Sequence, residues 1–233
     1  MKKKHQKNPT QKFHEVFSPT ILETDVPARF VNILNGVGDD VLSDNIKTAK
    51  WDWSHKLVGK VSKEVQIPLK DNDDRNFLFS ILRNVCLEYL KFIISKNRAY
   101  GWYRMAGRDG VPTIDNIHLT HSWIVSQYAG EYNPWHHHTG DFSAVSYLKI
   151  PTGMQAEWSE ELKDHYPANG LIEFTYGENQ DMRSDTLKFK PEVGKMLVFP
   201  SYLKHFVYPF YCEGERRSMS FNAHMKMPET RIK

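Results

Sequence analysis

"EYNPWHHHTGDFSAVSYLKIP", residues 131–151, sets three consecutive histidines against a strongly strand-like stretch. Side chains of a strand alternate between faces, so His136 and His138 share one face and His137 takes the other. Two imidazoles at i and i+2 form a bidentate grip suited to Fe, Zn, Cu or Ni, and a third ligand is needed to close a facial triangle. The chain supplies a candidate in "GKMLVFPSYLKHFVYPF", where His205 follows a strand and a "FPS" turn. Several intervening strands would return it opposite the first pair. Read singly, each segment is explained as well by an exposed histidine run or a turn histidine. His5, His14, His55, His118, His121, His165 and His224 have no such arrangement and read as structural. Of these, His121, two residues before Trp123, is the one that could face a substrate.

A second motif sharpens the first. "EGERRSMSFN" places Arg216, Ser218, Ser220 and Asn222 on one face of a strand. An arginine inside a barrel must meet an anion, because an unpaired buried charge is very costly. A guanidinium fork beside a serine hydroxyl is a good receptor for a carboxylate. The plainer reading is an exposed charge on an edge strand. A metal grip and a carboxylate receptor together specify a small dicarboxylate held at both ends.

Around these motifs the chain reads as α+β, mainly β. "IHLTHSWIVSQYAG", "FSAVSYLKIP", "GLIEFTYG", "TLKFKP", "KMLVFPS", "HFVYPFY" and "RRSMSFNAHM" are short, rich in β-branched and aromatic residues, and punctuated by turn residues. Many such strands indicate a sandwich or barrel. Upstream, residues 13–27 suggest a short strand and a turn, and "ARFVNILNGVG" a helix that its glycines stop. Residues 73–97 form the clearest helix, with an acidic start and with Lys91 and Lys96 near its end. Its apolar face is Phe77, Ile81, Leu82, Val85, Tyr89, Phe92 and Ile93, and a sheet is the natural partner. The expected organisation is a basic tail over residues 1–12 and one domain over 13–233, with helical support in 13–100 and a jelly-roll core in 101–226.

Composition narrows the class. The 233 residues are 40% hydrophobic and 13% aromatic, enough for a substantial core. A net charge of +3, part of it in the opening "MKKKHQK", gives no interleaved basic and aromatic pattern pointing to nucleic acid. Cys86 and Cys212 can build neither a disulfide framework nor a zinc cluster, and Cys86 reads as a small buried hydrophobe. No signal peptide or membrane span is legible, so a cytoplasmic protein without a membrane partner is the expectation.

Over residues 123–222, the segments "GEYNPWHHHTGDFSAVSYLKIP", "GLIEF", "VGKMLVFPSYLKHFVYPF" and "ERRSMSFN" resemble the iron(II)- and 2-oxoglutarate-dependent oxygenases. This is a double-stranded β-helix (jelly-roll) superfamily with a cupin-like core. The likeness is strongest to the prolyl-hydroxylase-like branch found in bacteria and phages. A weaker echo is "WSHKLVGKVSKEVQIP" at residues 53–68. Carried over by position, the resemblance implies that His136, His138 and His205 hold Fe(II). It further implies that Arg216 and Ser218 bind the distal carboxylate of 2-oxoglutarate, with Arg217 the second choice for that role. Tyr147, and Tyr132 or Asn133, could add hydrogen bonds to the cosubstrate. Dioxygen would be consumed, a substrate hydroxylated, and succinate and CO2 released; ascorbate is admitted as a further cofactor.

Most members of that superfamily have a carboxylate where this chain has His138, which leaves the metal site one unit more positive. Asp141 is near enough to be weighed as a ligand or a support, and it ranks below His138 because it breaks the i, i+2 spacing. Two alternatives stand beside the oxygenase. One is a cosubstrate-independent three-histidine cupin-type dioxygenase; the other is a non-catalytic jelly-roll binding or structural module. The substrate, a small molecule or a peptide, is not legible beyond a prolyl or other amino-acid side chain suggested by the resemblance. Trp102, Tyr103 and Trp135 are candidates for an entrance.

Overall fold

Residues 142–149, FSAVSYLK, are buried at every position but the last, and only a strand covered on both faces accommodates such a run. A computed structural model describes residues 19–69, 72–96, 112–158 and 167–225 and shows how both faces are covered. This strand, β5 (Phe142–Lys149), lies inside a six-stranded antiparallel sheet. The other members are β1 (Leu22–Asp25), β2 (Lys63–Gln66), β3 (Ile117–Gln127), β8 (Lys195–Pro200) and β10 (Arg216–Met225). They run in the order β1-β8-β5-β10-β3-β2. A four-stranded sheet, β4-β9-β6-β7, is formed by β4 (Asn133–His136), β6 (Ile172–Thr175), β7 (Thr186–Phe189) and β9 (Lys204–Val207). All seven expected strand segments form strands, and the mainly-β class holds. The N-terminal part gives β1 and β2 to the edges of the large sheet as well as helices.

Alternation divides the large sheet between two cores. Ala144, Leu148, Met196, Val198, Met219 and Phe221 point outward and pack against α1 (Ala28–Leu42) and α3 (Asp73–Ser95) through Phe30, Leu34, Leu78, Leu82, Cys86 and Leu90. Val145, Tyr147, Leu197 and Phe199 point inward and meet Ile172, Phe174, Leu203 and Val207 of the small-sheet side. Asn72 caps α3 by accepting from the Arg75 backbone N–H at 3.1 Å, and Asp73 and Asp74 follow in the acidic first turn. Cys86 is fully buried, as expected. Phe92 is not part of the buried face, being 45% exposed. The step from Tyr89 to Phe92 turns it past the edge of the contact, and Leu78, Leu87 and Leu90 are buried instead.

The glycines of "ARFVNILNGVG" do not stop α1, which continues through Gly36 and Gly38 to Leu42. Packing overrides propensity at Gly38, where a Cβ would lie 2.9 Å from Nη1 of Arg217. The guanidinium of Arg217 crosses the helix there, bonding the Asn35 carbonyl at 3.1 Å and Asp39 at 2.8 Å. A short α2 (Asn45–Lys50) follows, capped by Asp44. No helix among the described residues is long and apolar enough to cross a membrane. The expected tail, residues 1–12, lies outside the described residues, as do Trp102 and Tyr103.

Gly36 and Gly38 thus predict opposite outcomes. Gly36 has nothing within 4 Å of an added Cβ and is exposed, so Gly36→Ala should stabilise the protein by about 0.5–1 kcal/mol. Gly38→Ala should gain nothing or destabilise, because the arginine must give way. Urea unfolding of both variants measures the contrast, and equal gains would remove the packing role of Gly38.

Candidate functional site

The three histidines meet because of a bulge at the end of β4. Asn133 pairs with Val207 and His136 with His205, so Pro134 and Trp135 together oppose Phe206. Proline, which cannot donate to the ladder, sits comfortably at such a place on an edge strand. The bulge turns His136 inward beside His205, with ring centroids 4.2 Å apart. His138 lies beyond the strand's end, so strand alternation does not place it. Its backbone N–H donates to the Ser201 carbonyl at 2.9 Å, and its ring stands against Trp123 at 5.7 Å. His138 comes within 5.0 Å of the His136 ring and 5.1 Å of the His205 ring. The nearest ring nitrogens of the three all lie within 4.8 Å of one another. His137 is exposed, at the rim of the cavity that His136 and His138 line, and is not part of the cluster.

Two of the rings are oriented by the backbone. His136 Nδ1 lies 2.7 Å from the Pro134 carbonyl and His205 Nδ1 3.0 Å from that of Leu203. A carbonyl only accepts, so each Nδ1 carries the proton and each Nε2 presents a lone pair. Burial, reinforced by the neighbouring imidazoles, pushes His138 down to about 3 and His205 well below the usual histidine range. His136 is also lowered, by burial first, against the opposing Pro134 hydrogen bond. Three neutral imidazoles facing one point can hold a divalent metal. Asp141 is not among them: its Oδ2 accepts from the Met225 N–H at 2.7 Å, at the far end of β10.

These rings line a cavity of about 420 Å³, whose other wall is the inner face of the large sheet. Arg216, Ser218 and Ser220 of β10 face it. Arg216 is 2% exposed. Its Nη1 donates to Gln127 Oε1 at 2.8 Å, and Gln127 is itself held by its Nε2 donating to the Glu131 carbonyl. The guanidinium carbon stands 5.1 Å over the Tyr147 ring. Neither Arg216 Nε nor the Tyr147 hydroxyl has a hydrogen-bond partner, and among the described residues no carboxylate pairs with Arg216. Burial lowers the Arg216 pKa, and its electrostatic interaction with the Tyr147 hydroxyl opposes this. A guanidinium remains charged regardless, so the cavity holds a cation with unused donors.

Arg217 does not point to solvent. It lies on the opposite face at 3% exposure, bound to Glu215 at 2.7 Å and to Asp39. Asn133 lines the cavity, and its amide, in the orientation that satisfies both atoms, donates to the Val58 carbonyl at 3.2 Å. Trp135 lines the cavity at 47% exposure. Tyr132 stacks on Phe206. His121 is exposed against Trp53 and does not line the cavity. Missed by sequence reasoning is Glu64, buried at 3% exposure and lining the same cavity. Its only signal was its place in the weak echo at residues 53–68.

Residues 121–222 match the family model described as "Putative 2OG-Fe(II) oxygenase". No curated protein matches the chain. Among solved structures, a prolyl-4-hydroxylase from Pseudomonas putida is similar at 13% identity and a TM-score of 0.53, covering 88% of this chain and 93% of that one. A prolyl hydroxylase from Trichoplax adhaerens, solved with a hypoxia inducible factor oxygen degradation domain peptide, is similar at 14% identity and a TM-score of 0.50, covering 86% and 81%. A non-heme alpha-ketoglutarate-dependent carbocyclase of nogalamycin biosynthesis is similar at 10% identity and a TM-score of 0.50, covering 91% and 84%. Over residues 121–222 the chain carries the sequence pattern of the 2OG-Fe(II) oxygenases, and over most of its length it has the double-stranded β-helix fold of the prolyl hydroxylases and other 2-oxoglutarate oxygenases.

Proposed function

We propose that the protein is an Fe(II)- and 2-oxoglutarate-dependent dioxygenase that hydroxylates an amino-acid side chain, free or in a peptide. The observation that carries this reading is that three converging neutral imidazoles and an unpaired buried guanidinium open on one cavity. His136, His138 and His205 hold the iron through ring nitrogens. Arg216, assisted by Ser218, takes the distal carboxylate of 2-oxoglutarate, and the Tyr147 hydroxyl stands beside the guanidinium. Bound together, iron and 2-oxoglutarate supply the activation of dioxygen, with release of succinate and CO2 and transfer of one oxygen to the substrate. The chain's own part is to orient the reactants and exclude water. A peptide substrate is favoured by the likeness to the Trichoplax adhaerens enzyme, whose structure holds one. Whether the side chain is prolyl rests on that likeness alone.

Two neighbouring arginines provide an internal control. Arg216 has no carboxylate partner, so Arg216→Met should leave the ligand-free protein as stable as the parent or more stable, by up to about 4 kcal/mol. The same variant should lose the thermal shift produced by 2-oxoglutarate and weaken its binding at least ~30-fold, the effect of removing one partner of a buried charge pair. Arg217→Met should instead destabilise by about 1.5–3 kcal/mol, because Glu215 loses its guanidinium bonds and keeps only Lys149 and Ser126. Calorimetry with and without 2-oxoglutarate measures all three, and an Arg216 variant that still binds the cosubstrate like the parent would remove that residue from the role.

His205→Ala should abolish Fe(II) retention on purification, read by metal analysis, together with succinate formation. The depressed pKa values set the acid limit of metal binding. Rings that stay neutral well below the ordinary histidine value of about 6.5 should keep their metal as pH falls through 6. Half-loss of bound Mn(II), followed by equilibrium dialysis, is expected below about pH 6. Release centred at 6.5 or above would contradict the burial argument.

A further inference from the structure

β2 carries one carboxylate into the cavity. Glu64 is in register with Val125 of β3, whose partner on β10 is Ser218. Its side chain therefore shares the inner face with the Ser218 row, about 10 Å of backbone spacing away. Its nearest acidic neighbours are both engaged. Asp52 accepts from the Ser54 N–H at 3.2 Å and the Ser54 hydroxyl at 3.1 Å; Glu131 accepts from the N–H groups of Ser62 at 3.0 Å and Tyr128 at 2.9 Å. Among the described residues Glu64 has no such bonds. Its buried Oε1 is without a partner, no cation among the described residues pairs with it, and it is not part of the histidine cluster. Lys56 lines the same cavity from an exposed position. Burial, with Asp52 and Glu131 adding to it, pushes the Glu64 carboxyl up to about 8.

A buried carboxyl without a donor carries an unrelieved desolvation cost, so its partner must come from the cavity it lines. Asp52 and Glu131 stand near it and add a negative field, so an incoming cation both pairs with the Glu64 carboxyl and draws it into its ionised form; a neutral amide does neither. The Trp123 indole, in register with Gln66 two residues along β2, lines the same wall and adds an aromatic surface that attracts cations. We propose that Glu64 is the substrate-recognition residue and that it receives a protonated basic nitrogen, an ammonium or guanidinium of an amino-acid or peptide substrate. The proposal rests on the oxygenase reading, which brings the substrate into this cavity. A site built on a buried carboxylate rejects an isostere lacking the cation, because the carboxylate is then left unpaired.

The test uses the full chain loaded with Zn(II), which prevents turnover, and saturated with 2-oxoglutarate. Titration calorimetry compares Nα-acetyl-lysinamide and Nα-acetyl-argininamide with the neutral Nα-acetyl-norleucinamide. At least one basic probe should bind the parent at least tenfold more tightly than the norleucine probe. Glu64→Gln should reduce that preference to threefold or less with 2-oxoglutarate affinity unchanged, and Glu64→Asp should weaken binding yet keep the preference. The proposal is overturned if the parent shows no preference or if the preference survives in Glu64→Gln. It is also overturned if Glu64→Gln weakens zinc or 2-oxoglutarate binding as much as Arg216→Met does, since the carboxylate would then serve the cosubstrate. A separate titration of 2-oxoglutarate into the zinc-loaded parent tests the oxygenase reading by itself, so the two failures are distinguishable.

Discussion

The architecture turns on one strand that buries two consecutive arginines on opposite faces. Arg216 and Arg217 are 2% and 3% exposed, yet their surroundings differ completely. Arg217 is held by Glu215, Asp39 and the Asn35 carbonyl, which fasten α1 onto the outer face of β10. Ser126 and Lys149 close on Glu215 from the strands either side, at 2.6 and 3.1 Å. Arg216 has one neutral acceptor, Gln127, and an aromatic ring. Removing a partner from a buried charge is heavily destabilising, and a charge that never had one carries a comparable cost throughout. The outer network fixes the strand; the inner residue is left without an anionic partner among the described residues.

The two sheets divide the chemistry between them. The small sheet and its adjoining loop present the imidazoles of His136, His205 and His138, while the large sheet presents Arg216, the serines and Glu64. Because α1 and α3 cover the outer face of the large sheet, its inner face is free to be polar without losing the core. The apolar contacts between sheets are confined to Val145, Tyr147, Phe174, Phe199 and their neighbours, beside the cavity. Helices that contribute no cavity residue are therefore what makes an unfilled polar interior affordable to the fold.

Much of this was legible because strand alternation is local and strict. The seven C-terminal strands and the inward Arg216 follow from period two. The convergence of His136 with His205 required that the strands return and that a bulge at Pro134 and Trp135 turn His136 inward. Elsewhere the local signal failed for identifiable reasons. His138 joins the cluster from a loop, through a backbone bond to Ser201, so a shared strand face is not what brings it beside His136. Alternation puts Arg217 on the outer face without saying what covers it there, which is α1 and its Asp39. Gly36 and Gly38 resemble helix stops, but a tertiary contact decides Gly38. Glu64 was invisible: β2 has four residues, and nothing in "KEVQ" distinguishes a glutamate facing a cavity from one facing solvent.

A jelly roll can equally be a structural module, and the donor set bears on that alternative. Structural zinc sites are closed by four protein ligands, whereas catalytic sites keep positions open for substrate. Here three imidazoles converge among the described residues, and the side they leave free faces the cavity rather than packed protein. A closed site would need a fourth donor, and Asp141, the nearest carboxylate in sequence, is committed to the Met225 backbone instead. An inert barrel would also gain by replacing Arg216 and Glu64 with apolar residues, since each is buried with an unpartnered polar atom. Cation and carboxylate occupy separate rows of the same wall without neutralising one another, an arrangement that favours ligands of both signs over a protein meant only to hold its shape.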